Sequence, residues 1–220
     1  SFSYPKEIVL ETPQLINAVL DPARYSKEID LDEANSRSAL LRSVWGKLYK
    51  KSLLINGSVR FPEGLRFGED ALFNLKYLNA SNQILLLPDL VYNYCIEQSS
   101  TVNVFDKNDA IFLKKFIDET DLLIDDIFSE KEIPKRLREN FIALELSAVW
   151  CKAAASKEPI IDVIDGFKVF FRNDRVQSIL RCNPAIGRPR KIACCIRFFL
   201  LRVNCPFLAL LVDRALSRIM

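Results

Sequence analysis

The sequence predicts an α+β fold that is mostly helical, and three observations carry that prediction. Apolar residues after Asp106 recur at helical spacing. Two short runs, Ile84–Leu87 and Val91–Tyr94, read as strands around a Pro88-Asp89 turn. Half of the 220 residues are apolar, with only 10 Pro and 6 Gly. That composition excludes disordered and fibrous classes and leaves apolar surface for a sizeable core.

The first predicted helix covers residues 32–54. Asp32 is its N-cap candidate, and Leu40, Leu41, Val44 and Leu48 form its apolar stripe, ending before the Asn56-Gly57 turn. A loop rich in Gly and Pro, Arg60 to Gly68, leads into a second helix that starts at Glu69-Asp70 and turns Leu72, Phe73, Leu75 and Leu78 inward. Beyond the two strands, Asp106 with Asp109 three residues later starts a helix through Phe128. Pro134 stands near the first turn of another running to about Ala155, and shorter helices follow at Ile160–Phe171 and Arg175–Leu180.

Charge marks a further boundary. From Asn183 to Met220 there are seven basic residues and one acid, net +6, so the preceding residues sum to −3 within a total of +3. Asn183-Pro184 and Gly187-Arg188-Pro189 supply the breakers. The chain therefore divides into residues 1–105, a helical extension 106–182 and a basic, amphipathic segment 183–220. In that last segment the longest uncharged run, Val203 to Val212, is far short of the ~20 residues a spanning helix needs. Two in-plane helices hinged at Pro206, with arginines reaching an anionic membrane surface, are one reading. A helical hairpin packed on residues 107–180 or on a second copy of the chain, as in a homo-oligomer, is the other.

Composition also limits the chemistry. A net charge of +3 is too small for a dedicated nucleic-acid binder, so no nucleic-acid partner is expected. The absence of histidine removes Ser-His-Asp and Cys-His nucleophile pairs and His-ligated zinc. Acid–base work falls to Asp, Glu, Lys, Tyr or Cys. The six cysteines contain no CxxC pair, which points to a reducing compartment and a cytoplasmic location, peripheral on the inner membrane if the basic segment docks there. The chain opens at Ser1 and its only Met is Met220, which reads as a piece of a longer polypeptide; tag removal is the alternative.

The specific signal lies between Ser43 and Thr101. Ser43-Val44-Trp45-Gly46-Lys47-Leu48-Tyr49-Lys50-Lys51 is followed by Val59-Arg60-Phe61-Pro62-Glu63-Gly64, then Gly68-Glu69-Asp70-Ala71-Leu72-Phe73, and finally Pro88-Asp89-Leu90-Val91-Tyr92-Asn93-Tyr94 with Ser99-Ser100-Thr101. This order resembles the second half of the catalytic domain of family 2 glycosyltransferases, inverting GT-A-fold enzymes of bacterial capsule, exopolysaccharide and lipopolysaccharide biosynthesis. The resemblance implies that residues 1–105 are the acceptor-side part of such a domain. It implies Asp70 as catalytic base, Glu69 orienting the acceptor, and nucleotide-sugar donor and saccharide acceptor as partners. The family commonly has Asn where this chain has Gly46, and Arg where it has Cys95.

The residues can be weighed without the family. Inverting transfer needs a carboxylate to deprotonate the acceptor hydroxyl, and Asp70 stands in a first helical turn, where free N–H groups favour its ionised form. Helix capping by Glu69 and Asp70 is the structural alternative. Trp45 offers a flat face to a sugar ring or packs in the core; Lys47 faces phosphate or acceptor, or is simply solvated. Asp30-Leu31-Asp32 matches the metal-holding Asp-x-Asp of the family, but no apolar strand precedes it, and helix capping is the better reading. Mg²⁺ or Mn²⁺ with the nucleotide-sugar is therefore expected on a donor half outside this chain, with no metal ligand here and the chain alone inactive. The competing class is a non-catalytic helical module that binds acceptors or anchors to a membrane.

Overall fold

The structure is a computed structural model that describes residues 8–20, 42–56, 59–87, 92, 104–128, 135–181 and 188–217. Among these residues it is mostly helical with one two-stranded sheet. The chain divides into two compact units, Ser1–Cys95 with Glu119–Glu132, and Ile96–Asp118 with Ile133–Met220. Asp30-Leu31-Asp32, Leu40, Leu41, Val91, Asn93 to Thr101 and Pro134 lie outside the described residues.

In the first unit, β1 (Ile8–Glu11) pairs antiparallel with β2 (Gln83–Leu86), Leu10 opposite Ile84. The strand expected at Ile84–Leu87 is thus present one residue earlier. Its partner is β1, a strand with no hairpin turn beside it in sequence to announce it. Helix α1 (Thr12–Leu20) follows β1 directly and packs on α3 (Glu69–Asn79). Thr12 fastens the two ends together, its N–H donating to the Asn82 carbonyl at 3.1 Å and its hydroxyl to the Ser81 carbonyl at 2.8 Å. Helix α3 begins at Glu69 as expected, and Leu72, Phe73, Leu75 and Leu78 are all buried.

The helix expected over 32–54 is corrected where the structure describes it. Residues 43–50 are not helical, and a short α2 (Lys51–Asn56) takes the end of the segment. Leu48, placed on the buried stripe by its spacing, is 98% exposed. The reason is that backbone groups of residues 42–50 bond to the side chains of α3.

The second unit follows the helical periodicity closely. Helix α4 (Asp109–Ile127), which belongs to this unit up to Asp118, starts at a reciprocal cap: Asp106 accepts from the Asn108 N–H at 2.8 Å, and the Asp106 N–H donates to the Asp109 carboxylate at 3.1 Å. Helices α5 (Lys135–Ala155), α6 (Ile160–Phe171) and α7 (Asp174–Leu180) come next, α7 capped by Asn173. Trp150 of α5 is fully buried and meets Phe167 and Phe171 of α6 edge-on at 5.5 and 5.2 Å. A buried ion pair joins Lys152 to Asp109 at 2.8 Å, and a half-buried one joins Arg175 to Glu139 at 2.6 Å.

The basic segment forms α8 (Arg188–Arg202) and α9 (Pro206–Ser217), and α9 packs on α5 and α6. The corner is set by Asn204 at φ 58, in a Schellman motif: Cys205 N–H bonds the Leu200 carbonyl at 2.8 Å and Asn204 N–H the Leu201 carbonyl at 3.1 Å. Pro206 then sits at the first helical position, where its missing N–H costs nothing. One of the seven basic residues of this segment is turned inward. Arg197 is buried and grips Asp213 of α9 with two bonds of 2.7 and 2.8 Å, while its third nitrogen reaches Ser147 Oγ at 2.7 Å. Trp150 Nε1 donates to the same Asp213 carboxylate at 2.9 Å.

Candidate functional site

The site is assembled by one face of α3. Gly68 precedes the helix at φ 75, a left-handed conformation that glycine enters freely. From the first turn of α3, Asp70 reaches the segment 42–50. Asp70, Asn74 and Tyr77 recur at helical spacing and form a polar stripe along the helix. Asp70 Oδ2 accepts from the Val44 N–H at 3.3 Å. Asn74, buried, donates to the Arg42 and Ser43 carbonyls at 2.9 and 2.8 Å and accepts from the Tyr49 hydroxyl at 2.7 Å. Tyr77 accepts from the Lys50 N–H at 2.8 Å. Three side chains thus take backbone groups that a helix over 43–50 would have paired internally. Below them Tyr49 packs edge-on against Phe73 and Tyr77, and Phe61 stacks on Phe73 at 4.1 Å.

Asp70 is therefore not a cap of its own helix. Gly68 at the N-cap makes no side-chain capping bond, and the Asp70 carboxylate reaches across to another segment. It is half-buried, and among the described residues its second oxygen makes no hydrogen bond. Burial pushes its carboxyl above the ordinary range, opposed by the Val44 N–H and by the positive charge of Lys47. Lys47 is held by its ammonium on the Ser43 carbonyl, and burial lowers it from 10.5 to about 8 against the pull of Asp70. Burial, with Asp70 and Tyr77 beside it, pushes the Tyr49 phenol up. Asp70 and Lys47 are thus brought together electrostatically, each displaced toward its neutral form.

No family model, characterised protein or solved structure matches the chain.

The other expected site residues fall as follows. Trp45 is half-buried in the turn after Val44, not on the inner face of a helix, and its ring stacks on Tyr92 with centroids 5.2 Å apart and planes 18° from parallel. One ring face is therefore against protein. Glu69 is half-buried at the first position of α3. Gly46 has φ +68, and a Cβ there would meet Tyr92 Cβ at 3.6 Å, so backbone conformation rather than space restricts the residue type. Sequence reasoning did not find Asn74, Tyr77 and Tyr92. Asn74 is the one with a signal: a polar residue among Leu72, Phe73 and Leu75, whose burial requires partners. Among the described residues no group of three acidic or cysteine side chains could hold a metal. The divalent ion implied by the resemblance finds no donor set there.

Proposed function

We propose that this chain is the acceptor-side part of an inverting glycosyltransferase catalytic domain of GT-A type, acting in bacterial cell-surface polysaccharide synthesis. Asp70 takes the proton of the acceptor hydroxyl as it attacks the anomeric carbon of a nucleotide-sugar; the hydroxyl oxygen bonds to that carbon and the diphosphate departs. The observation that carries the reading is the state of Asp70: half-buried, held by one long bond, with its second oxygen uncommitted and its basicity raised. A general base gains efficiency as its pKa climbs toward the working pH. Lys47 beside it supplies positive charge toward the departing diphosphate or the acceptor, and Glu69 and Trp45 flank the hydroxyl's approach.

Two further features support the reading. The blocks quoted for the resemblance, far apart in the chain, meet here: Trp45 on Tyr92, and Val44 on Asp70. The position where the family commonly carries Asn is Gly46, whose left-handed φ suits both residue types. The nucleotide and its divalent ion would be held by a donor half not among these residues.

A second reading has its own observation. Asp70, Asn74 and Tyr77 all bond the backbone of one segment, as a purely structural stripe would, and that favours a non-catalytic module. Asp70→Asn separates the two. In the complete polypeptide it abolishes sugar transfer while the urea midpoint at neutral pH stays equal or rises, since removing a partly buried carboxylate relieves its desolvation. Turnover retained in that variant leaves only the module.

A further inference from the structure

We infer that the outward face of the α8–α9 hairpin docks on an anionic lipid surface. This inference does not depend on the glycosyl-transfer reading. Each helix is split into two faces. On α8, Arg197, Phe198 and Leu201 are buried while Ile196, Phe199 and, just past its end, Val203 are exposed; on α9, Ala209, Leu210 and Asp213 are buried while Phe207, Leu208 and Leu211 are exposed. The exposed residues recur at helical spacing, so each forms a stripe opposite the packed face. Both stripes lead away from the same Asn204–Cys205 corner, with Val203 and Phe207 on its two sides. Phe199 is 54% and Phe207 52% exposed, an apolar surface that soluble chains seldom leave open without a use.

Charge decides the occupant. The segment 183–220 is net +6, and its single acid, Asp213, is turned inward onto Arg197, so no carboxylate of this segment is presented outward. Arg202 is exposed and sets its guanidinium over the Phe199 ring, 5.5 Å from the centroid. The cation therefore lies beside the apolar stripe, the arrangement in which aliphatic and aromatic groups enter the acyl boundary and arginine stays with phosphate. Among the described residues no helix is long and apolar enough to cross a membrane, so the two helices lie in the interfacial plane. A nucleic acid would draw on the arginines and leave the six apolar side chains in water.

The test uses the whole chain and co-sedimentation with vesicles of phosphatidylcholine alone or mixed with phosphatidylglycerol. Binding to the mixed vesicles is expected, and at least about tenfold less to the neutral ones. The double variant Phe199→Gln, Phe207→Gln lowers partitioning onto mixed vesicles by about tenfold or more. Arg202→Glu lowers it on mixed vesicles and leaves the neutral ones unchanged. All three positions are exposed, and unchanged circular-dichroism melts confirm that the variants fold. The inference is overturned if the native chain stays in the supernatant with both vesicle types, or if the double variant partitions like the native chain. It is also overturned if the native chain fails to bind vesicles and instead forms a dimer that the double variant dissolves, for then the face joins two copies of the chain.

Discussion

Lys47 and Asp70 carry charges at a site that resists charging, and this has a consequence for stability. Lys47 binds its proton less tightly in the folded chain, about 8, than at the ordinary value of 10.5 that the unfolded chain retains. Above pH 8 the unfolded state therefore holds more protons, and stability rises with pH through this window; below it the cost of burying the ammonium is felt in full. The raised Tyr49 phenol acts in the opposite sense above its ordinary value of 10.0, because the folded state keeps a proton that the unfolded state loses. The rise is therefore read between pH 8 and 10. Urea midpoints of Lys47→Met should be flatter over that interval than those of the native chain. Parallel curves for the two proteins would show that the ammonium is solvated in both states.

At the next scale, α3 is at once a core helix and a scaffold. Its apolar positions bury Leu72, Phe73, Leu75 and Leu78, and its polar stripe holds the segment 43–50 in a non-helical path. The segment's own hydrophobic spacing suits a helix, yet its backbone is better satisfied by Asp70, Asn74 and Tyr77, and left-handed Gly46 interrupts any helical turn. Asn74→Ala deletes three hydrogen bonds, to the Arg42 and Ser43 carbonyls and from the Tyr49 hydroxyl. It should cost about 1–3 kcal/mol in urea denaturation and strip amide protection from residues 43–50. Leu48→Ala, by contrast, should change stability by less than about 0.5 kcal/mol, because that side chain is already in water. A cost of several kcal/mol at Leu48 would restore the continuous helix.

Taken whole, the chain separates its two kinds of work. The first unit holds the candidate site; the second holds an aromatic core closed by a buried charge network. The two tryptophans fall one in each, Trp45 in the first and Trp150 in the second, so single-Trp variants report on the units separately. In the second unit Asp213 receives Trp150 Nε1 and both arms of Arg197. Asp213→Ala leaves that guanidinium buried without its carboxylate and should destabilise the unit by about 3–5 kcal/mol, read from Trp150 fluorescence. Joint replacement of Arg197 by Met and Asp213 by Leu should recover most of the loss, since the desolvation of both charges disappears together. A double variant as unstable as Asp213→Ala would mean that the network is irreplaceable by packing.

Local pattern was sufficient wherever an element's structure is decided by its own residues. The helices from Asp109 onward, the start of α3 at Glu69, the helix 160–171 and the inward set of α3 all follow from periodicity and capping residues within one segment. The proximity of Glu69 and Asp70 to a helix start was legible in the same way. Contacts between segments distant in sequence decided the remainder. The partner of β2, the non-helical path of 43–50, the stacking of Trp45 on Tyr92 and the inward turn of Arg197 each depend on a group many residues away. Burial without a partner is costly for such polar groups, so whichever segment supplies the partner sets the conformation, and that supply is a property of the folded chain.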